Sequence, residues 1–194
     1  MRIALIRHAP VRFSAGRWIW PSDVRNAVYD YNQAPINPAE MPHELLGIVE
    51  SASVVLASSL ARSVHTAELL ACGRQVASDS IYDEAELPTP RGRAPILPVS
   101  IWFIVLRLLW LLGWAGGTEP REKAELRARI AAERLVRTSQ SGGVVVLVGH
   151  GIFMALMARA LEDMGWCRLD SIPKRPWSAC CFVPPDPSEQ PGHH

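Results

Sequence analysis

VVVLVGHG, residues 144–151, is the stretch from which the fold can be read. Five successive apolar residues, mostly β-branched and without polar alternation, mark a strand covered on both faces, as in parallel sheets. The run IFMALMARALED at 152–163 follows at once with helical periodicity. The pattern recurs outward from there. IALI at 3–6 and VVLA at 54–57 read as further buried strands, and LARSVHTAELLA at 60–71 reads as a helix behind the second of them. A charged helix is expected over 120–137, with Pro120 in its first turn and Thr118 as its N-cap. Strands alternating with helices predict an α/β three-layer sandwich, a mostly parallel central sheet with helices on both faces. A single domain over 1–183 accommodates these elements, and the Pro-rich stretch 184–194 (PPDPSEQPGHH) predicts a disordered tail.

The composition narrows the function. Twenty Lys plus Arg balance nineteen Asp plus Glu for a net charge of +1, so no global field favours nucleic acid or an anionic membrane surface. With 48% hydrophobic and 20% charged residues the chain can build a sizeable core. The cysteines, Cys72, Cys167, Cys180 and Cys181, form no CxxC pair and read as reduced thiols; the last two face opposite ways if WSACCFV is a strand. The opening MRIALIRH has too short an apolar run for an export signal, so a cytoplasmic location is expected. Neither GxGxxG nor GxxxxGK[ST] occurs, which argues against nucleotide-motor chemistry.

Chemistry concentrates where the strands end. His8 follows IALI with Arg7 beside it, His150 follows VVVLV between Gly149 and Gly151, and Arg62 falls in the first turn of the helix after VVLA. Sites in doubly wound sheets form outside the carboxyl ends of the strands, so one crevice should receive two His and two Arg. Guanidinium forks and helix N-termini suit a phosphoryl group, and one histidine could act on it as a nucleophile. Either histidine alone would more readily be read as structural. His43 and His65 are read as structural or solvated.

Taken in order, IRHAP (6–10), SSLARSVHTAELL (58–70), YDEAELP (82–88) and VLVGHG (146–151) resemble the histidine phosphatase superfamily, which includes the phosphoglycerate mutases. The resemblance implies that His8 is a nucleophile forming a phosphohistidine, and that Arg7, Arg62 and His150 hold the phosphoryl oxygens. It implies Glu84 as proton donor, with Glu86 the second choice. The sequence departs from the usual RHG in having Ala9, and Ser59 stands where relatives often carry Pro; Ser14 is a minor candidate phosphate contact.

Residues 96–114 (ILPVSIWFIVLRLLWLLGW) hold one charge in nineteen positions, enough on length for a membrane span. Against a span, Arg107 lies near the middle at a cost of roughly 2.5–3.5 kcal/mol, and Pro98 shortens the helix. The segment is read instead as a buried or lid helix within an insertion near 96–117. Phe103, Arg107, Trp110 and Trp114 would share one face, so Arg107 and Trp110 are candidate substrate contacts. The resulting expectation is a metal-independent phosphomonoesterase without cofactor, acting on a small phosphorylated compound. The alternatives are a phosphoglycerate-type mutase, or a phosphate-binding protein that touches a membrane or a second copy of itself through 96–114.

Overall fold

β1 (Arg2–Arg7) runs parallel to β6 (Val144–Gly149) with Arg2 opposite Val144 and Arg7 opposite Gly149, so the two strands end at the same edge of the sheet. This is a computed structural model, and it describes residues 1–39, 41–90, 92 and 95–185. In chain order the remaining elements are β2 (Trp18–Ile19), α1 (Val24–Gln33), α2 (His43–Glu50), β3 (Ala52–Ser58), α3 (Ala61–Ala71), β4 (Val76–Asp79), β5 (Leu97–Pro98), α4 (Val99–Leu111), α5 (Arg121–Ser139), α6 (Gly151–Asp163), β7 (Cys167–Arg168) and β8 (Ala179–Val183). The main sheet has the order β4-β3-β6-β1-β8-β7, in which the first four strands are parallel and β8 is antiparallel to both its neighbours. β2 and β5 pair separately.

The continuous apolar runs are explained by their two covers. Ile3, Leu5, Val145 and Leu147 pack against α5 and α6 through Leu135, Phe153, Met157 and Leu161. Their alternates Ala4, Ile6, Val146 and Val148 pack with Leu45 and Val49 of α2 and Ala67 and Leu70 of α3. Helices therefore cover both faces of a mostly parallel sheet. Cys180 belongs to the first cluster and Cys181 to the second, as alternation along β8 requires, and all four cysteines are free thiols.

Two local expectations need correcting. Thr118 does not cap α5: its hydroxyl donates to the Ala115 carbonyl at 2.8 Å within the preceding turn, and Pro120 occupies the N-cap position. The face assigned to 96–114 is split. α4 buries Val99, Trp102, Leu106 and Trp110, spaced three and four apart as a 3.6-residue period demands, while Leu109 and Trp114 are exposed. Trp110 is fully buried with Ala85 and Ala124, and its Nε1 donates to the Glu119 carbonyl at 2.8 Å. Its indole is thus fixed as a packing element rather than turned toward a ligand. Among the described residues no helix is long and apolar enough to cross a membrane.

α4 ends where WLLGW places a glycine. Gly113 has φ +97°, its N–H donates to Trp110 O and that of Trp114 donates to Leu109 O, both at 2.9 Å. This six-to-one, five-to-two closure needs the left-handed residue that glycine supplies without a Cβ clash. Of the Pro-rich segment, residues 186–194, on which the disordered-tail expectation falls, lie outside the described residues.

Candidate active site

Because β1, β3 and β6 end together, the residues that follow them meet. His8 and His150 lie with ring centroids 5.1 Å apart, and Arg7, Arg62, Glu84 and Arg107 line the same cavity of 1230 Å³. His8, Arg62 and His150 are almost wholly buried. Glu86 also lines the cavity but is exposed. Trp110 does not line it, whereas Phe103 and Arg107 of the same helix do. Ser14 lines a separate shallow hollow with Arg17 and Asp30 and does not reach the histidines. His43 and His65 are exposed.

The protonation of each histidine follows from its partners. Nδ1 of His8 lies 2.6 Å from the Ala9 carbonyl, which can only accept, so Nδ1 carries the proton and Nε2 keeps a free lone pair. The main-chain carbonyl at position 9 makes this contact, which is why alanine serves there in place of glycine. Burial first, then the guanidiniums of Arg62 and Arg7, lower the His8 pKa to about 3, outweighing the opposing Ala9 contact. The ring is therefore neutral near neutral pH. Nε2 of His150 meets Ser58 Oγ at 2.6 Å and Ser63 Oγ at 3.1 Å. Ser58 Oγ also accepts from Leu60 N, and in the tautomer where Ser58 gives its proton to His150 Nε2, Nδ1 is a free donor. Burial and the adjacent Arg62 also lower the His150 pKa well below its ordinary value.

The cations are held from behind. Arg62 Nη1 donates to Asn32 Oδ1 at 2.8 Å, its guanidinium lies 4.9 Å from the Tyr31 ring centroid, and Thr66 Oγ1 donates to its carbonyl at 2.6 Å. Thr66 Oγ1 also accepts from Ala9 N at 3.0 Å, which links Arg62 to the turn carrying His8. Arg7 Nη1 donates to the Lys174 carbonyl, and a Cβ on Gly151 would stand 3.3 Å from the Arg7 Cζ. Asn32, Tyr31, Ser58, Ser63 and Thr66 were not foreseen as site residues. The available signal was the spacing of Arg62, Ser63 and Thr66 on one helix; Asn32 and Tyr31 come from α1 and carry no such mark.

The Glu84 carboxylate accepts from Phe153 N at 2.9 Å and Ala85 N at 3.0 Å through Oε1, and from Ile152 N at 3.3 Å through Oε2. It thereby sits on the first turn of α6, directly after His150. Arg127 fixes the segment before it by donating to the carbonyls of Ile81 and Asp83, and Asp83 receives both Ser59 N and Ser59 Oγ. Ser59 thus supplies a tether that proline could not. Among the described residues no group of three His, Cys, Asp or Glu side chains is placed to hold a metal ion.

Arg7 Nε, Arg62 Nε, Arg107 Nη1 and His150 Nδ1 are buried and have no protein partner, and all four residues line the cavity. Each such donor left unsatisfied costs roughly 1–3 kcal/mol. Four such side chains lining one cavity suit an anion with several oxygens.

Comparison with known proteins bears on the family and the fold. The sequence model of the histidine phosphatase superfamily (branch 1) matches residues 3–186. No sequence among curated proteins matches. Among solved structures, YhfR of Bacillus stearothermophilus superposes with a TM-score of 0.59 at 18% identity, covering 84% of this chain and 80% of its own. The ecdysone phosphate phosphatase of Bombix mori, in complex with tungstate, gives 0.56 at 14% identity over 95% and 92%. The alpha-ribazole phosphatase of Shigella flexneri gives 0.52 at 19% over 82% and 79%.

Proposed function

Because the chain belongs to the histidine phosphatase superfamily (branch 1), we propose that it is a metal-independent phosphomonoesterase working through a phosphohistidine on a small phosphorylated compound. The observation that carries this reading is the pairing of an unprotonated His8 Nε2 with buried, unpartnered donors on Arg7, Arg62 and His150. Nε2 attacks phosphorus, and the ester oxygen leaves with a proton from Glu84. Water then attacks the phosphohistidine with Glu84 taking its proton, which returns His8 and releases inorganic phosphate. Of the two Glu84 oxygens, Oε2 makes the single longer bond at 3.3 Å and is the better placed to carry that proton. Arg7, Arg62 and the His150 N–H stabilise the charge that builds on the equatorial oxygens. The partner is accordingly a small molecule, not nucleic acid, and the protein works in the cytoplasm.

The test is phosphate release from p-nitrophenyl phosphate in chelator, beside His8→Ala, with an alkaline detergent quench to trap enzyme labelled from the radioactive ester. The expected result is an acid-labile phosphoenzyme in the wild type only, with turnover lower in the variant by on the order of 10³-fold or more. Equal turnover in both proteins would overturn the mechanism. Label shuttling between positions of a phosphoglycerate without free phosphate would make the protein a mutase.

A further inference from the structure

A phosphoryl group fills only one end of the cavity. The volume of 1230 Å³ exceeds the roughly 300–1,000 Å³ usual for small-molecule sites. Beyond the strand-end residues the wall changes character: α1 contributes Val24 and Val28, and α4 contributes Phe103, Ile104 and Leu108. Phe103 is held in place by stacking with Phe13 at 6.2 Å and edge contact with Tyr31 at 5.6 Å, so this wall is a built surface.

Apart from Arg107 Nη1, counted above among the unpartnered donors, the fixed cations of this half are engaged. Arg107 Nη2 donates to the Ala85 carbonyl at 2.9 Å with its guanidinium against Trp110. Arg127 pairs with Glu119 at 2.6 Å. Arg25, Glu86 and Lys174, the charged residues at the rim, are exposed. A second anionic group on the substrate would find only Arg107 Nη1 as a fixed complement there. Ile104 and Leu108 line the cavity yet are 56% and 55% exposed, and the apolar surface continues outward along α4 through Ile101 and Leu112. Contiguous apolar surface leading out of a site marks where an apolar ligand lies.

We propose that the substrate is the phosphate monoester of an apolar alcohol, its phosphoryl group at His8 and its hydrocarbon body between α1 and α4. This rests on the phosphomonoesterase reading and adds the leaving group's class. A free amphiphile and a bilayer lipid share this chemistry.

The test is a series of n-alkyl phosphates from butyl to decyl, each kept monomeric, with release of inorganic phosphate as the readout. kcat/KM rises roughly three- to fourfold per added methylene while the chain lies along the apolar wall. Ile104→Asp and Leu108→Asp, both at exposed positions where a carboxylate is compatible with folding, lower the decyl-to-butyl ratio by about tenfold or more, because the chain then displaces hydration from a charge. Hydrolysis of butyl phosphate with a flat or falling series overturns this inference and leaves the phosphomonoesterase reading intact. Silence on every ester and on p-nitrophenyl phosphate overturns both. Decyl phosphate turned over faster from phosphatidylcholine vesicles than from solution supports the proposal with a bilayer source, and the reverse order supports it with a free amphiphile.

Discussion

Replacing His8 with alanine should remove a specific part of the acid sensitivity of folding. In the folded protein the His8 pKa is lowered from 6.5 to about 3, by burial first and then by Arg62 and Arg7. The unfolded chain therefore binds a proton that the folded chain rejects, so this contribution is present above about pH 6.5 and is lost as pH falls toward 3. Between about pH 7.5 and 5 the unfolded histidine titrates through about 1.5 units, which at 1.36 kcal/mol per unit is about 2 kcal/mol of stability. Urea unfolding of wild type and His8→Ala at both pH values reads this directly. The wild type should lose about 2 kcal/mol more than the variant on acidification, whatever the pH-independent effect of the substitution. His150, whose pKa is lowered by the same causes, adds to the sensitivity of both proteins and cancels in the comparison. Equal losses would mean that the folded protein accepts a proton on His8 at ordinary pH. The case for a neutral, ready nucleophile would then fail.

Asn32→Ala removes the acceptor that orients Arg62 Nη1 at 2.8 Å. A hydrogen bond to a charged group contributes roughly 1.5–3 kcal/mol, so steady-state kinetics should show kcat/KM lower by at least about tenfold. Gly151→Ala puts a Cβ 3.3 Å from the Arg7 guanidinium in a helical position alanine tolerates. Activity should fall about tenfold through displacement of that cation while the thermal midpoint does not drop. Trp110→Phe deletes the Nε1 bond to Glu119 and leaves buried space, lowering unfolding free energy by about 1–3 kcal/mol with kcat/KM of the folded enzyme unchanged. A kinetic effect without loss of stability would instead restore Trp110 to the substrate-facing surface.

Much of the site was legible because local pattern and topology agree. The runs at 3–6, 54–57 and 144–148 are too apolar to be one-sided strands, and parallel strands of similar length bring their carboxyl ends to one edge. His8, Arg62 and His150 therefore converge as soon as their strands are identified. Glu84 was reached only through the family resemblance, since nothing local to YDEAELP says that its carboxylate will sit on the first turn of α6. For α4 the sequence indicated a helix and misjudged its faces. Every position from Ile101 to Leu112 except Arg107 is apolar, so periodicity could not distinguish the core stripe from the exposed one.

By itself, then, the sequence determined the layer architecture and the residues that meet at the strand ends, because both depend on short-range rules: burial period along a strand and the residue that follows its end. Tertiary structure alone decided which hydroxyls meet His150 Nε2, which side of α4 faces the cavity, and that Asn32 and Tyr31 steady Arg62. These depend on hydrogen bonds and packing between residues up to 92 positions apart, and such partnerships exist only after the sheet has brought them together.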